Sequence, residues 1–195
     1  MMQLLNETAD FLKEQLDGFE PEFGIILGTG LGALVNDVAI YRSISYSAIP
    51  NFPVSTVESH SGKLIFGEIS GRKVVVMQGR FHYYEGYDMN QVVLPVRIMK
   101  LLGVQKLFVS NAAGGLNPDF DTTDLMIITD HINLQPTNPL IGKNINELGP
   151  RFPDMSDVYD ERMVEQALEI AAGHNMNVRT GVYVSVPGPM LETKA

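Results

Sequence analysis

Cysteine is absent from this 195-residue chain. Disulfides and cysteine-ligated metal sites are therefore excluded, and the composition fits a cytoplasmic protein. No apolar run reaches the roughly 18 residues of a bilayer-spanning helix, so no membrane association is expected. The N-terminal stretch MMQLLNETADFLKEQ has no basic segment leading into an apolar one, and no secretory signal is expected there. No HExxH, Walker A or other spaced metal pattern occurs, and His131, next to Asp130, has no partner ligand at a suitable spacing and reads as structural. Basic residues are few: 14 Lys and Arg against 23 Asp and Glu leave a net charge of −9. That is the opposite of the basic face a nucleic-acid binder presents. A small anion stays compatible with it, because one arginine in a local backbone nest outweighs distant surface charge.

With 45% hydrophobic and 19% charged residues, the chain reads as a single globular domain over 1–195. Apolar residues at Leu4, Leu5, Phe11 and Leu12 predict a helix over Leu4 to Leu16, broken by Gly18 and Pro21. Phe23 to Leu27 is a short apolar run ending in glycines and predicts a buried strand. Ser45 to Ser59 reads as loop with a short strand. Lys63 to Glu68 alternates, Lys73 to Met77 is β-branched, and Gly71 between them predicts a hairpin. A helix is expected over Asn90 to Leu102 with Gly103 as its cap, then buried strands over Lys106 to Ser110 and Leu125 to Thr129. Residues 135–153, with Pro136, Pro139, Pro150 and Pro153, form a long irregular segment of the kind usually tied to function. An amphipathic helix over Asp160 to Ala172, closed by Gly173, and a strand over Val178 to Val184 complete the pattern. Strands interleaved with helices give an α/β fold around a mixed central sheet flanked by helices.

Several segments carry chemistry. Gly28-Thr29-Gly30-Leu31-Gly32 follows a strand; its glycines admit a ligand close to the backbone, and its amides can form an anion nest, with the Thr29 hydroxyl as a further donor. The competing reading is a tight turn with no ligand. Gly28, Gly30 and Ala33 also meet the loose dinucleotide pattern, but the acidic residue due about 20 positions later falls in the proline-rich loop around Pro50 and Pro53. Met77 to Gly86 (MQGRFHYYEG) places Arg80, His82, Tyr84 and Glu85 at a strand end: a planar fork suited to phosphate, a ring donor, an aromatic wall and a carboxylate. His60 has a weak local signal. Ser110 to Asn117 (SNAAGGLN) follows another strand with small residues that let a ligand touch the backbone. Glu192, after a Gly-Pro turn, can accept hydrogen bonds from purine ring N–H groups, against the alternative of a solvated carboxylate.

Taken in order, LGTGLG, SHSGKLIFG, MQGRFHYYEG, SNAAGGLNPDF, DLMIITDHINL, RFPDMSDVYD and GPMLET span residues 24–193 and resemble the trimeric, low-molecular-mass purine nucleoside phosphorylase family. The resemblance implies a nucleoside phosphorylase-like fold. It also implies phosphorolysis of inosine- or guanosine-type nucleosides to free base and ribose 1-phosphate, as in purine salvage, by a cytoplasmic homotrimer. No cofactor is implied; inorganic phosphate is a co-substrate. Phosphate would be held by Thr29, His60, Arg80, His82 and the backbone around Ala112. Tyr84 would meet the ribose, and Phe152 the ribose site of a neighbouring subunit. Leu191 and Glu192 would face the base, with His82 and Glu192 the catalytic pair.

The pattern is departed from at Thr29 (usually Ser), Ser59 (usually Gly), Thr123 (often Gly) and Leu191 (usually Phe or Tyr). The family continues well beyond its GPxxET motif, so the chain is expected to lack the C-terminal portion of the fold. Two other readings remain open: a methylthioadenosine phosphorylase, which resembles RHGRQH rather than MQGRFHYYEG at the second motif, and a catalytically incomplete fragment that binds phosphate or purine only.

Overall fold

The computed structural model describes residues 1–54 and 62–190, and the chain divides into two compact units, Met1–Ala112 and Ala113–Ala195. In the first unit, helix α1 (Met2–Leu16) buries Leu5, Thr8, Ala9, Leu12 and Leu16, a stripe at helical spacing. It stops where Asp17 and Gly18 turn left-handed, at φ 44° and 81°. Strands β1 (Phe23–Ile26), β2 (Ala39–Ser45), β3 (Lys63–Ile69), β4 (Arg72–Gln78) and β5 (Lys106–Val109) form one mixed sheet in the order β2-β3-β4-β1-β5. β3 runs antiparallel to both β2 and β4, whereas β1 is parallel to both β4 and β5. Helix α2 (Met89–Leu101) precedes β5. Its start is fixed by a reciprocal pair: Gln91 N–H donates to Asp88 Oδ1 at 2.9 Å and Asp88 N–H to Gln91 Oε1 at 3.0 Å. Gly103, at φ 100°, follows its end.

The structure departs from the sequence reading in three places here. β5, expected to be buried, is exposed at all four residues, because it ends the sheet and pairs with β1 on one side only. β3 does not alternate: Leu64, Ile65, Phe66 and Gly67 are buried in succession, because both faces of this interior strand are covered. β2 was not anticipated. It is an edge strand, exposed except at Ile44, so it carries no apolar period; a bulge between Ile40 and Arg42 and pairing with β3 define it. Beyond Ser45, residues 46–48 form a 3-10 turn; residues 55–59 of the stretch expected to hold a short strand lie outside the described residues. The β3–β4 hairpin is as expected, with consecutive positive φ at Ser70 and Gly71 (49° and 74°). Leu27, Val38, Ile65, Val74 and Val76 make one core layer.

In the second unit, β6 (Leu125–Asn133) and β7 (Val178–Ser185) are parallel, joined through the irregular segment and α3 (Glu161–Gly173). β6, expected to be buried, has no fully buried residue, because it belongs to a sheet of two strands. Asp160 caps α3 by accepting from Met163 N–H at 3.0 Å. Gly173 is the last helical residue, not the cap; the left-handed turn comes at Asn175, φ 54°. The irregular segment is stitched by side chains: Asn133, Asn138 and Asp154 each accept from the backbone N–H two residues on. Arg151 donates to the Leu140 and Gly142 carbonyls at 2.7 and 2.8 Å. Among the described residues, no helix is long and apolar enough to cross a membrane.

Candidate active site

Three parallel strands of the first unit end side by side. The register aligns Ile26 of β1 with Met77 of β4 and with Val109 of β5, so the chain leaves the sheet on one edge at Leu27, Gln78 and Ser110. Clefts outside the carboxyl ends of such strands are where α/β proteins bind ligands. β1 is the middle strand and feeds the turn Gly28 to Gly32. β4 feeds Gly79 and Arg80, and β5 feeds Ser110 to Ala112.

The contacts at this edge are close. Arg80 Nη2 donates to the Ser110 carbonyl at 2.7 Å, and Gly28 N–H to Ser110 Oγ at 2.9 Å. A Cβ at Gly28 would stand 2.6 Å from that carbonyl and 2.8 Å from Arg80 Nη2, so only glycine fits. Thr29 and Ala112 are exposed and Arg80 half-buried. Asn111 Nδ2 donates to the Ala112 carbonyl at 3.1 Å.

Beyond Arg80 the chain makes a 3-10 turn over Tyr83–Glu85. The His82 and Tyr84 rings stack, with centroids 4.7 Å apart, and Tyr84 is half exposed. Glu85 turns back beneath them: its Oε1 lies 2.7 Å from His82 Nδ1 and accepts the His82 backbone N–H at 2.9 Å. Beneath this turn Tyr46, Phe52, Phe81 and Tyr87 form an aromatic cluster. Tyr46 OH donates to the Gly79 carbonyl at 2.7 Å, and burial pushes its phenol well above the ordinary tyrosine range.

The candidate residues are thus distributed unevenly. Thr29, Arg80, His82, Tyr84 and Ala112 belong to the first unit, on segments that leave the strand ends. His60, Leu191 and Glu192 lie outside the described residues. Phe152 is in the second unit, 87% exposed, with the Arg151 guanidinium 5.7 Å from its ring centroid. His131 meets Tyr159, whose hydroxyl is 3.2 Å from Nδ1. Ser110 and Glu85 were both in view in the sequence, but nothing local marked what they touch. The dinucleotide reading fails on topology: the glycine turn leads into a 3-10 turn and an antiparallel edge strand, not a helix and a second parallel strand.

Residues 22–195 match the model of the phosphorylase superfamily. Purine nucleoside phosphorylase 1 of Geobacillus stearothermophilus is 53% identical over 191 residues, covering 98% of this chain and 69% of that protein. The chain belongs to the purine nucleoside phosphorylase family. The bovine purine nucleoside phosphorylase is 49% identical, with 97% of this chain and 67% of that protein covered. Among solved structures, the Schistosoma mansoni purine nucleoside phosphorylase in complex with adenosine superposes at TM-score 0.90 with 46% identity, covering 98% of this chain and 69% of that one. A purine nucleoside phosphorylase in complex with ribose 1-phosphate superposes at TM-score 0.91 with 47% identity, covering 98% and 72%. In this family member the mixed α/β sheet expected from the sequence is present, and the chain spans about 70% of the length of these relatives.

Proposed function

We propose that the protein catalyses phosphorolysis of purine nucleosides of the inosine and guanosine type, giving free purine and ribose 1-phosphate. The observation that carries this reading is the convergence of the Gly28 turn, Arg80 and Ser110 at three adjacent parallel strand ends. It is supported by the relatives' names and by a ribose 1-phosphate complex at 47% identity.

In this reading Thr29, His60, Arg80, His82 and the amides around Ala112 hold phosphate. Tyr84, with Phe152 from a neighbouring subunit, bounds the ribose, and Leu191 and Glu192 face the base. Holding phosphate beside the anomeric carbon replaces a bimolecular encounter. The glycosidic C–N bond breaks, the purine leaves with the bonding pair, and positive charge develops on the ribose. A phosphate oxygen then bonds to the anomeric carbon, and the proton given up by hydrogen phosphate balances the one taken up by the purine. Glu192 orients the leaving base through its ring N–H groups, and His82 steadies the phosphate. No metal or organic cofactor enters the scheme. We further read the chain as one nucleoside phosphorylase domain, since the family match runs unbroken through both units, and as a cytoplasmic homotrimer.

The test is release of hypoxanthine from inosine with and without phosphate, beside methylthioadenosine as competing substrate. Phosphate-dependent release from inosine supports the reading; preference for methylthioadenosine, or release without phosphate, overturns it. Sedimentation of the protein checks the trimer.

A further inference from the structure

The segments that leave β1, β4 and β5 are tied together through the hydroxyl and the main chain of one residue outside the phosphate-binding set, Ser110. Its hydroxyl accepts Gly28 N–H at 2.9 Å and donates to the Ile26 carbonyl at 3.2 Å. Its own N–H donates to the same Ile26 carbonyl at 3.1 Å. Its carbonyl accepts Arg80 Nη2 at 2.7 Å. β4 and β5 are not neighbours, because β1 lies between them. Arg80 therefore reaches Ser110 across the exit of β1, at the point where residue 28 has no side chain to obstruct it.

We infer that Ser110 is a positioning residue for anion binding: its hydroxyl occupies the Gly28 amide and ties the exits of β1 and β5 together, and so holds the main-chain carbonyl that accepts Arg80 in place over Gly28. The inference rests on the phosphate reading above. Two consequences follow from the bonding. The Ser110 carbonyl engages one guanidinium N–H donor of Arg80 and so fixes the orientation of the fork. Because Gly28 N–H is committed, the anion-facing amides of the turn begin at Thr29. A serine that merely ends a strand would be replaceable by alanine without loss of anion affinity. A serine whose hydroxyl holds the Gly28 turn, and through it the carbonyl that meets Arg80, would not.

The experiment is calorimetric titration of inorganic phosphate into the 195-residue chain and its Ser110→Ala and Ser110→Thr variants. The expected result is phosphate affinity about tenfold weaker in Ser110→Ala, the size of one well-made hydrogen bond. Ser110→Thr, which keeps the hydroxyl, should stay within about twofold of the parent. Unchanged affinity in Ser110→Ala overturns the inference, as does a lowered melting temperature with unchanged affinity. If the parent chain binds no phosphate, the phosphate reading fails before any substitution is made, and the inference falls with it. A second measurement needs no variant. Hydrogen exchange at the Gly28 amide should be slow without phosphate and unchanged on adding it. An amide that exchanges freely and is protected only by phosphate belongs to the anion site and overturns the assignment.

Discussion

Glu85 holds His82 at two points: one carboxylate oxygen lies 2.7 Å from the ring Nδ1 and also accepts the His82 backbone N–H at 2.9 Å. The Glu85 side chain is 4% exposed and that of His82 39%, so the buried carboxylate orients the more accessible ring. A carboxylate accepting from Nδ1 favours the tautomer in which Nε2 is the nitrogen that would meet phosphate in the proposed site. Glu85→Ala is expected to destabilise the protein by about 1–3 kcal/mol and to raise the KM for phosphate about tenfold. Glu85→Gln, which keeps an acceptor, should do less on both counts. Saturation kinetics in phosphate and in inosine check this; equal losses for both substrates would count against an orienting role.

Arg80→Ala should weaken phosphate use far more than nucleoside binding, by roughly 1.5–3 kcal/mol, as expected for charge-assisted hydrogen bonds. The comparison of phosphate and inosine KM values measures it.

The Gly28 backbone cannot accept a side chain, whereas Gly32 faces open space. Gly28→Ala should displace Arg80 or Ser110, costing about 1–3 kcal/mol in stability, together with most phosphate affinity. Gly32→Ala should stay within about 0.5 kcal/mol of the parent. Paired urea melts with phosphate titrations test the contrast, and two indistinguishable variants would refute it.

Tyr46 donates to the Gly79 carbonyl, one residue before Arg80, and its phenol is raised by burial. The folded state therefore holds the proton that the unfolded chain releases above the ordinary phenol value of about 10. The sign follows: this group's contribution is complete below that value and is lost as pH rises beyond it. Tyr46→Phe should cost about 0.5–1.5 kcal/mol at neutral pH and flatten the decline in stability on the alkaline side. Denaturant midpoints measured from pH 7 to 11 decide it.

Thr123, where glycine is common in the family, adopts φ 81°. A β-branched residue in that region is strained, and the position is exposed. Thr123→Gly should therefore stabilise the protein by about 1 kcal/mol, read as a higher melting temperature. A lower one would mean that the extra backbone freedom of glycine in the unfolded chain outweighs the relieved strain.

The elements that depend on local pattern were legible in the chain itself. Apolar runs marked β1, β4 and β5, Gly71 marked the hairpin, and the spacing of Met163, Val164, Ala167 and Leu168 marked α3. The motifs named the family and pointed to Arg80 and Thr29. What tertiary structure alone decided was adjacency. The exposed edge strand β2 has no apolar period and exists because β3 pairs with it. β3 reads as alternating but is buried on both faces. The order β4-β1-β5 brings Ser110 to Gly28, 82 positions away in sequence, and to Arg80, 30 positions away. Periodicity and turn chemistry are set by neighbours in the chain, so a sequence discloses them. Which strand ends meet, and which carboxylate turns back onto which ring, is settled by burying the whole sheet at once.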